Sequence, residues 1–156
     1  MVLDPLTTIN LVGFGEVLPR FDNFVAIDPK VVDKFGIPVL RITMTWGENE
    51  KAMIPDMAVT ATQMLEAAGA RNIEPFSFID RIPGYGIHEM GTARMGRDPK
   101  TSVLNGFLAT HDIKNLYVMD ASSFVSGGCQ NPTLTIMALA VRGCDHLMEE
   151  MKRGNI

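Results

Sequence analysis

Only two cysteines occur in the 156 residues, Cys129 and Cys144, and their separation matches no metal-binding spacing. They are read as free thiols, one preceding a helix and one a few turns inside it. Basic residues are also scarce. Fourteen Lys and Arg stand against eighteen Asp and Glu, a net charge of −4. Without a basic footprint, nucleic acid is not expected as a partner. No apolar run reaches the roughly 18 residues of a membrane span. The opening MVLDPLTTIN has neither a basic n-region nor a long h-region, so it does not read as a signal peptide. These absences leave the compartment open. Internal repeats and low-complexity tracts are missing too. The remaining composition, 46% hydrophobic and 21% charged, is that of an ordinary globular domain able to bury a core.

Strand signals dominate the first half. Asn10–Val17 and Asn23–Ile27 carry β-branched and aromatic residues between turn formers. Asp28–Lys34 reads as a turn or short helical stretch. In Val39–Trp46 the residues Leu40, Ile42, Met44 and Trp46 alternate with Arg41, Thr43 and Thr45, the period of a half-buried strand. Asp56 is placed to cap a helix from about Met57 to Ala68, stopped by Gly69. Ile73–Ile79 reads as a further strand. Ser102–Leu108 reads as extended, and Asn115–Met119 as a short buried strand ending at Asp120. The last element is a helix with Asn131 as N-cap and Pro132 at its first position. Leu134, Met137, Val141, Cys144 and Met148 form its packing stripe, Gly143 is its weak point and Gly154 its stop.

Three motif-like patterns fail on inspection. Gly13-Phe14-Gly15 lacks the third glycine of a dinucleotide fingerprint, because position 18 is Leu18. Gly91 and Gly96 have phosphate-loop spacing but are followed by Arg97-Asp98 in place of Lys and Ser/Thr. His88-Glu89 begins like a zinc-protease motif, but Thr92 stands where the second histidine belongs. His88, His111 and His146 are scattered, and no metal is expected. A hydrolase built on His88 with Ser122 or Ser123 lacks a GxSxG elbow.

His88 lies among small residues in IHEMGTARMG, where a titratable base meets a backbone that permits close approach. By itself this is compatible with a structural histidine. Taken in order, HEMGTARMG with DPKTSVLN, then NLYVMDASSF, then NPTLTIMALAVRGCDHL resemble the C-terminal part of the glucose–methanol–choline (GMC) flavin oxidoreductases. The likeness is strongest over Gly86–Leu147 and extends more weakly back through residues 11–46. CQNP points to the sugar and sugar-acid dehydrogenase branch.

The resemblance implies an α+β fold, a largely antiparallel sheet with helices on one side. Residues 1–110 would form part of a substrate-binding domain. Residues 111–156 would supply a strand and helix that complete a flavin domain. By position, His88 matches the family's catalytic base. Asn131 matches its partner, which orients the substrate oxygen. Asp120 and Ala121 match positions beside the flavin ribityl–pyrophosphate. Pro132 and Thr133 match the helix start that faces the flavin pyrimidine edge. Arg94 is read as structural, with an acidic substrate as the alternative. The cofactor implied is FAD in the full-length enzyme, not retained by this chain, which lacks the glycine fingerprint. The expected partners are an N-terminal FAD-binding region, a small alcohol or sugar, an electron acceptor, and further copies of the chain through exposed apolar surface. The competing reading is a non-catalytic binding module that keeps the fold.

Overall fold

The computed structural model describes residues 7–77, 82–84 and 86–156. Among the described residues the architecture is α+β, with one two-stranded antiparallel sheet and two α-helices. The chain divides into two units, Met1–Gly15 with Trp46–Arg81, and Glu16–Thr45 with Ile82–Ile156.

In the first unit the dominant element is helix α1, Glu48–Ala67. It starts nine residues before the expected Met57, and Pro55 lies inside it. An interior proline removes one helical hydrogen bond and costs about 3 kcal/mol. The start is nonetheless well made. The Glu50 carboxylate reaches back to accept from the Gly47 N–H at 2.7 Å, and Lys51 N–H donates to the Gly47 carbonyl at 3.1 Å. Lys51 also pairs with Glu48 at 2.9 Å. Asp56 therefore caps nothing. The end matches expectation, with Gly69 in the left-handed region at φ +80°. Residues 7–15 form no strand. They are instead drawn onto α1, where Met57 and Met53 lie against Gly13 and Gly15. Residues 73–77 are also irregular, and the rest of the strand expected at Ile73–Ile79 lies outside the described residues.

In the second unit β1 (Phe24–Val32) pairs with β2 (Pro38–Thr43) in the register Phe24↔Thr43, Ile27↔Leu40, Val32↔Pro38. The Asp28-Pro29 step, expected to break the strand, becomes an irregularity within it. Asp28 accepts the N–H groups of Lys30 and Val31 at 2.8 and 3.0 Å, so the strand resumes. These bonds hold its carboxyl below the usual carboxylate range. Arg20 and Asn23 close the base of the hairpin on Thr45.

The segment 91–123 is held by ladder-like bonds between irregular strands. Met95 bridges Leu104, Leu104 bridges Thr110, and Ala109 bridges Tyr117. Asn115–Met119 thus makes a single bridge and no full strand. Leu104, Leu108 and Ser123 are fully buried here. Helix α2, Thr133–Arg153, crosses this core at Gly143. A Cβ on Gly143 would stand 3.1 Å from Met119 Cε and 3.4 Å from Leu108 Cδ1. Gly143, the expected weak point, is the close-contact point of the helix.

The buried face of α2 is not the expected one. Leu134, Met137, Val141 and Met148 are 79%, 60%, 62% and 51% exposed. Partly or fully covered instead are Ile136, Leu139, Ala140, Gly143 and Leu147. Both faces carry apolar residues, and the small Gly143 decides which one approaches the core. Among the described residues no helix is long and apolar enough to cross a membrane.

Candidate functional site

The site residues expected from sequence all lie in the second unit. His88 is half-buried in an irregular stretch. Backbone bonds to the Asp120 turn fix the residues on its C-terminal side. Gly91 N–H donates to the Ala121 carbonyl at 3.4 Å, Ala93 N–H to the Ser122 carbonyl at 2.9 Å, and Met95 N–H to the Ser123 carbonyl at 2.8 Å. The segments HEMGTARM and DASS, separate in sequence, therefore form one backbone ladder.

Asp120 caps the short 3-10 turn Ala121–Ser123. Its Oδ1 accepts from the Ser122 N–H at 2.8 Å and the Ser122 hydroxyl at 2.5 Å. Ser123 donates its hydroxyl to the Asp120 carbonyl at 2.8 Å. Both serine hydrogens are consumed inside the turn, so neither serine is poised against a base as a nucleophile would be.

The loop after this turn leads to α2. Met90, two residues past His88, packs on Gly127. A Cβ there would lie 2.6 Å from Met90 Cε and 2.9 Å from its Sδ. Gly128 follows at φ +65°, in the left-handed region that favours glycine. The paired glycines thus serve a close contact and then a turn. The chain then passes Gln130 to Asn131, which is exposed.

The helix start differs from the sequence reading by one position. Pro132 is the N-cap, at φ −88° and ψ −9°, and its carbonyl accepts the Ile136 N–H at 2.9 Å. No side chain caps the helix, and its first turn holds no acidic residue. Asn131 is therefore not the cap. Its amide is not committed to the helix, and the first-turn N–H groups around Thr133 are open to another acceptor. Lys152 and Arg153 sit in the last turn, matching the negative end of the helix dipole. The positive end has no such counterpart.

One participant in this arrangement has no sequence signal. Glu16 Oε1 accepts the Gly127 N–H at 2.9 Å, across 111 positions. Arg94 donates from Nε to the Thr101 carbonyl at 2.8 Å. Cys129 and Cys144 are free and exposed. Among the described residues no group of three or more His, Cys, Asp or Glu is placed to hold a metal ion.

The groups that these segments of the second unit carry are one imidazole, one amide not spent on capping, an acidic turn and an open helix N-terminus. An imidazole takes and returns protons near neutral pH. A helix N-terminus attracts electron-rich groups.

A family model described as GMC oxidoreductase matches residues 19–140. The chain is 40% identical over 134 residues to 2-methyl-1,2-propanediol dehydrogenase of Mycolicibacterium austroafricanum, covering 86% of this chain and 24% of that protein. It is 32% identical over 133 residues to the gluconate 2-dehydrogenase flavoprotein of Pantoea cypripedii, covering 82% and 22%. It is 29% identical over 156 residues to pyranose 2-oxidase of Lyophyllum shimeji, covering 97% and 24%. The chain spans about a quarter of the length of these relatives. The motifs read in order from His88 to α2 and the family match agree: this chain belongs to the GMC oxidoreductase family, of which it carries the C-terminal part.

Proposed function

We propose that this chain supplies the substrate-facing, proton-handling part of an FAD-dependent enzyme that oxidises a CH–OH group of an alcohol, a sugar or a sugar acid. Bound FAD would supply the hydride acceptor, flavin N5. His88 takes the hydroxyl proton as the substrate carbon is oxidised to a carbonyl. Asn131 donates from its amide to the substrate oxygen and orients it without competing for the proton. The helix start at Pro132 and Thr133 would face the flavin pyrimidine edge, with the free N–H groups from Thr133 onward as donors, and with Asp120 and Ala121 beside its ribityl–pyrophosphate. The open N-terminus of α2 suits that role, because it presents free donors and a partial positive charge that nothing in the helix's first turn offsets.

The observation that carries this reading is the contact of Met90 with Gly127. It ties the His88 segment to the loop that delivers Asn131. The remaining flavin contacts would come from an N-terminal FAD-binding region, consistent with the quarter-length coverage of the relatives. An electron-acceptor partner belongs to the same reading. The isolated 156-residue chain is accordingly expected to be colourless and inactive.

The test is His88→Ala in the flavin-loaded protein that contains this chain. Turnover should fall by about 100-fold or more, as for loss of a general base, with flavin absorbance retained. Near-normal turnover would remove His88 from the reaction. Stoichiometric yellow cofactor on the isolated chain would contradict the division of the flavin site.

A further inference from the structure

Glu16 has no part in the chemistry assigned to His88 and Asn131, yet it is tied to the loop that leads into the site. Its half-buried carboxylate accepts the Gly127 N–H at 2.9 Å. Resting on the proposed function, we infer that Glu16 is a positioning residue, whose carboxylate sets where the Gly127–Gln130 loop places Asn131 and the start of α2.

Three constraints meet on this loop. Glu16 holds the Gly127 amide. The Met90 thioether fills the space where a Gly127 side chain would stand. Gly128 then turns through the left-handed region, at φ +65°. Asn131 lies three residues beyond that turn. The amide of Asn131 is not spent on capping α2. Its placement therefore depends on the loop before it and on the buried Pro132 after it. A charged acceptor on a backbone N–H makes a shorter and stronger bond than a neutral one. Glu16 acts at a distance from the reacting atoms, through the backbone of Gly127. Small displacements of a substrate-orienting group cost rate even when substrate still binds.

The experiment compares Glu16→Ala, Glu16→Gln and His88→Ala in the flavin-loaded protein that contains this chain. Two readouts are taken, hydrogen exchange of the Gly127 amide and steady-state kinetics. In Glu16→Ala, Gly127 exchange should quicken about tenfold or more, and kcat should fall about tenfold or more with KM moving less than about threefold. Glu16→Gln keeps an acceptor oxygen of the same reach. It should recover most of both losses. Unchanged Gly127 exchange in Glu16→Ala overturns the proposal. So does quickened exchange with unchanged kcat, or a Glu16→Gln variant as impaired as Glu16→Ala. His88→Ala separates the two layers. Turnover retained there is a failure of the functional reading, whereas turnover lost there but kept in Glu16→Ala is a failure of the Glu16 proposal alone.

Discussion

Met90 closes over Gly127 so tightly that a Cβ on the glycine would sit 2.6 Å from the methionine Cε. This contact joins two segments that carry the proposed chemistry. Gly127→Val puts a branched side chain where the thioether lies. Overpacking of this kind costs about 1–3 kcal/mol. Met90→Ala in the same chain should return part of that cost, since the clash is with the methionine tip. A thermal-melting double-mutant cycle should give a coupling of about 0.5 kcal/mol or more. Additive losses would mean that the two residues do not compete for one space.

Asn131→Ala separates capping from catalysis. Loss of a true N-cap costs about 1 kcal/mol. Here no side chain caps α2, so melting should move by less than about 0.5 kcal/mol, as for an ordinary surface change. In the flavin-loaded protein kcat/KM should still fall about tenfold or more. A full capping loss with unchanged kinetics would reverse the assignment.

Leu108 is 1% exposed and held at φ +66°. Burial stabilises it, while its backbone is in a region that costs a side-chain-bearing residue about 1–2 kcal/mol. Leu108→Ala should lose about 2–5 kcal/mol by denaturant unfolding. Leu108→Gly removes one more carbon but relieves the backbone. It should therefore be no less stable than Leu108→Ala, the reverse of the usual order of these two residues.

Asp28, Glu48 and Glu150 each carry a carboxyl held below its ordinary range. Asp28 is held by the Lys30 and Val31 N–H groups, Glu48 by Lys51, and Glu150 chiefly by Asn155. A depressed folded pKa contributes stability above the unfolded value, and that contribution is lost as pH falls through the folded one. The chain should thus lose stability on acidification below about pH 4, where unfolded carboxyls begin to protonate. Asp28→Asn should flatten part of that slope in a pH series of melting curves. An unchanged slope would show that the two backbone bonds at Asp28 do not persist in solution.

The outward stripe of α2 should drive association of the isolated chain. Leu134, Met137 and Val141 are each at least 60% exposed, and a contiguous apolar patch of this kind marks an interface. Sedimentation should show mass rising with concentration, and Met137→Glu with Val141→Glu should return the chain to monomer. A wild-type monomer at all concentrations would remove self-association from the expected behaviour.

The helices show where local sequence reading succeeds and where it stops. Gly69 and Gly154 end α1 and α2 as expected, because a left-handed residue after a helix is a local steric matter. The start of α1 escapes local reading because an internal proline is a strong local signal, whereas the opposing bond from Glu50 to Gly47 has to be seen in place. Asn10–Val17 has strand-forming residues but no strand partner, and its glycines lie instead against the α1 methionines. A strand is stable only when paired, and pairing is not a local property.

Family membership was legible in the chain alone, from three motifs taken in order, since side-chain chemistry and spacing survive without a fold. Tertiary structure alone decided the rest. It turned the Leu134–Met148 stripe outward, because only Gly143 lets α2 approach Met119 and Leu108 closely. It moved the cap of α2 from Asn131 to Pro132, leaving the Asn131 amide uncommitted to the helix. It also brought Glu16 to Gly127. A hydrogen bond depends on a few tenths of an ångström between atoms, and no pattern of residue types reports that distance across 111 positions.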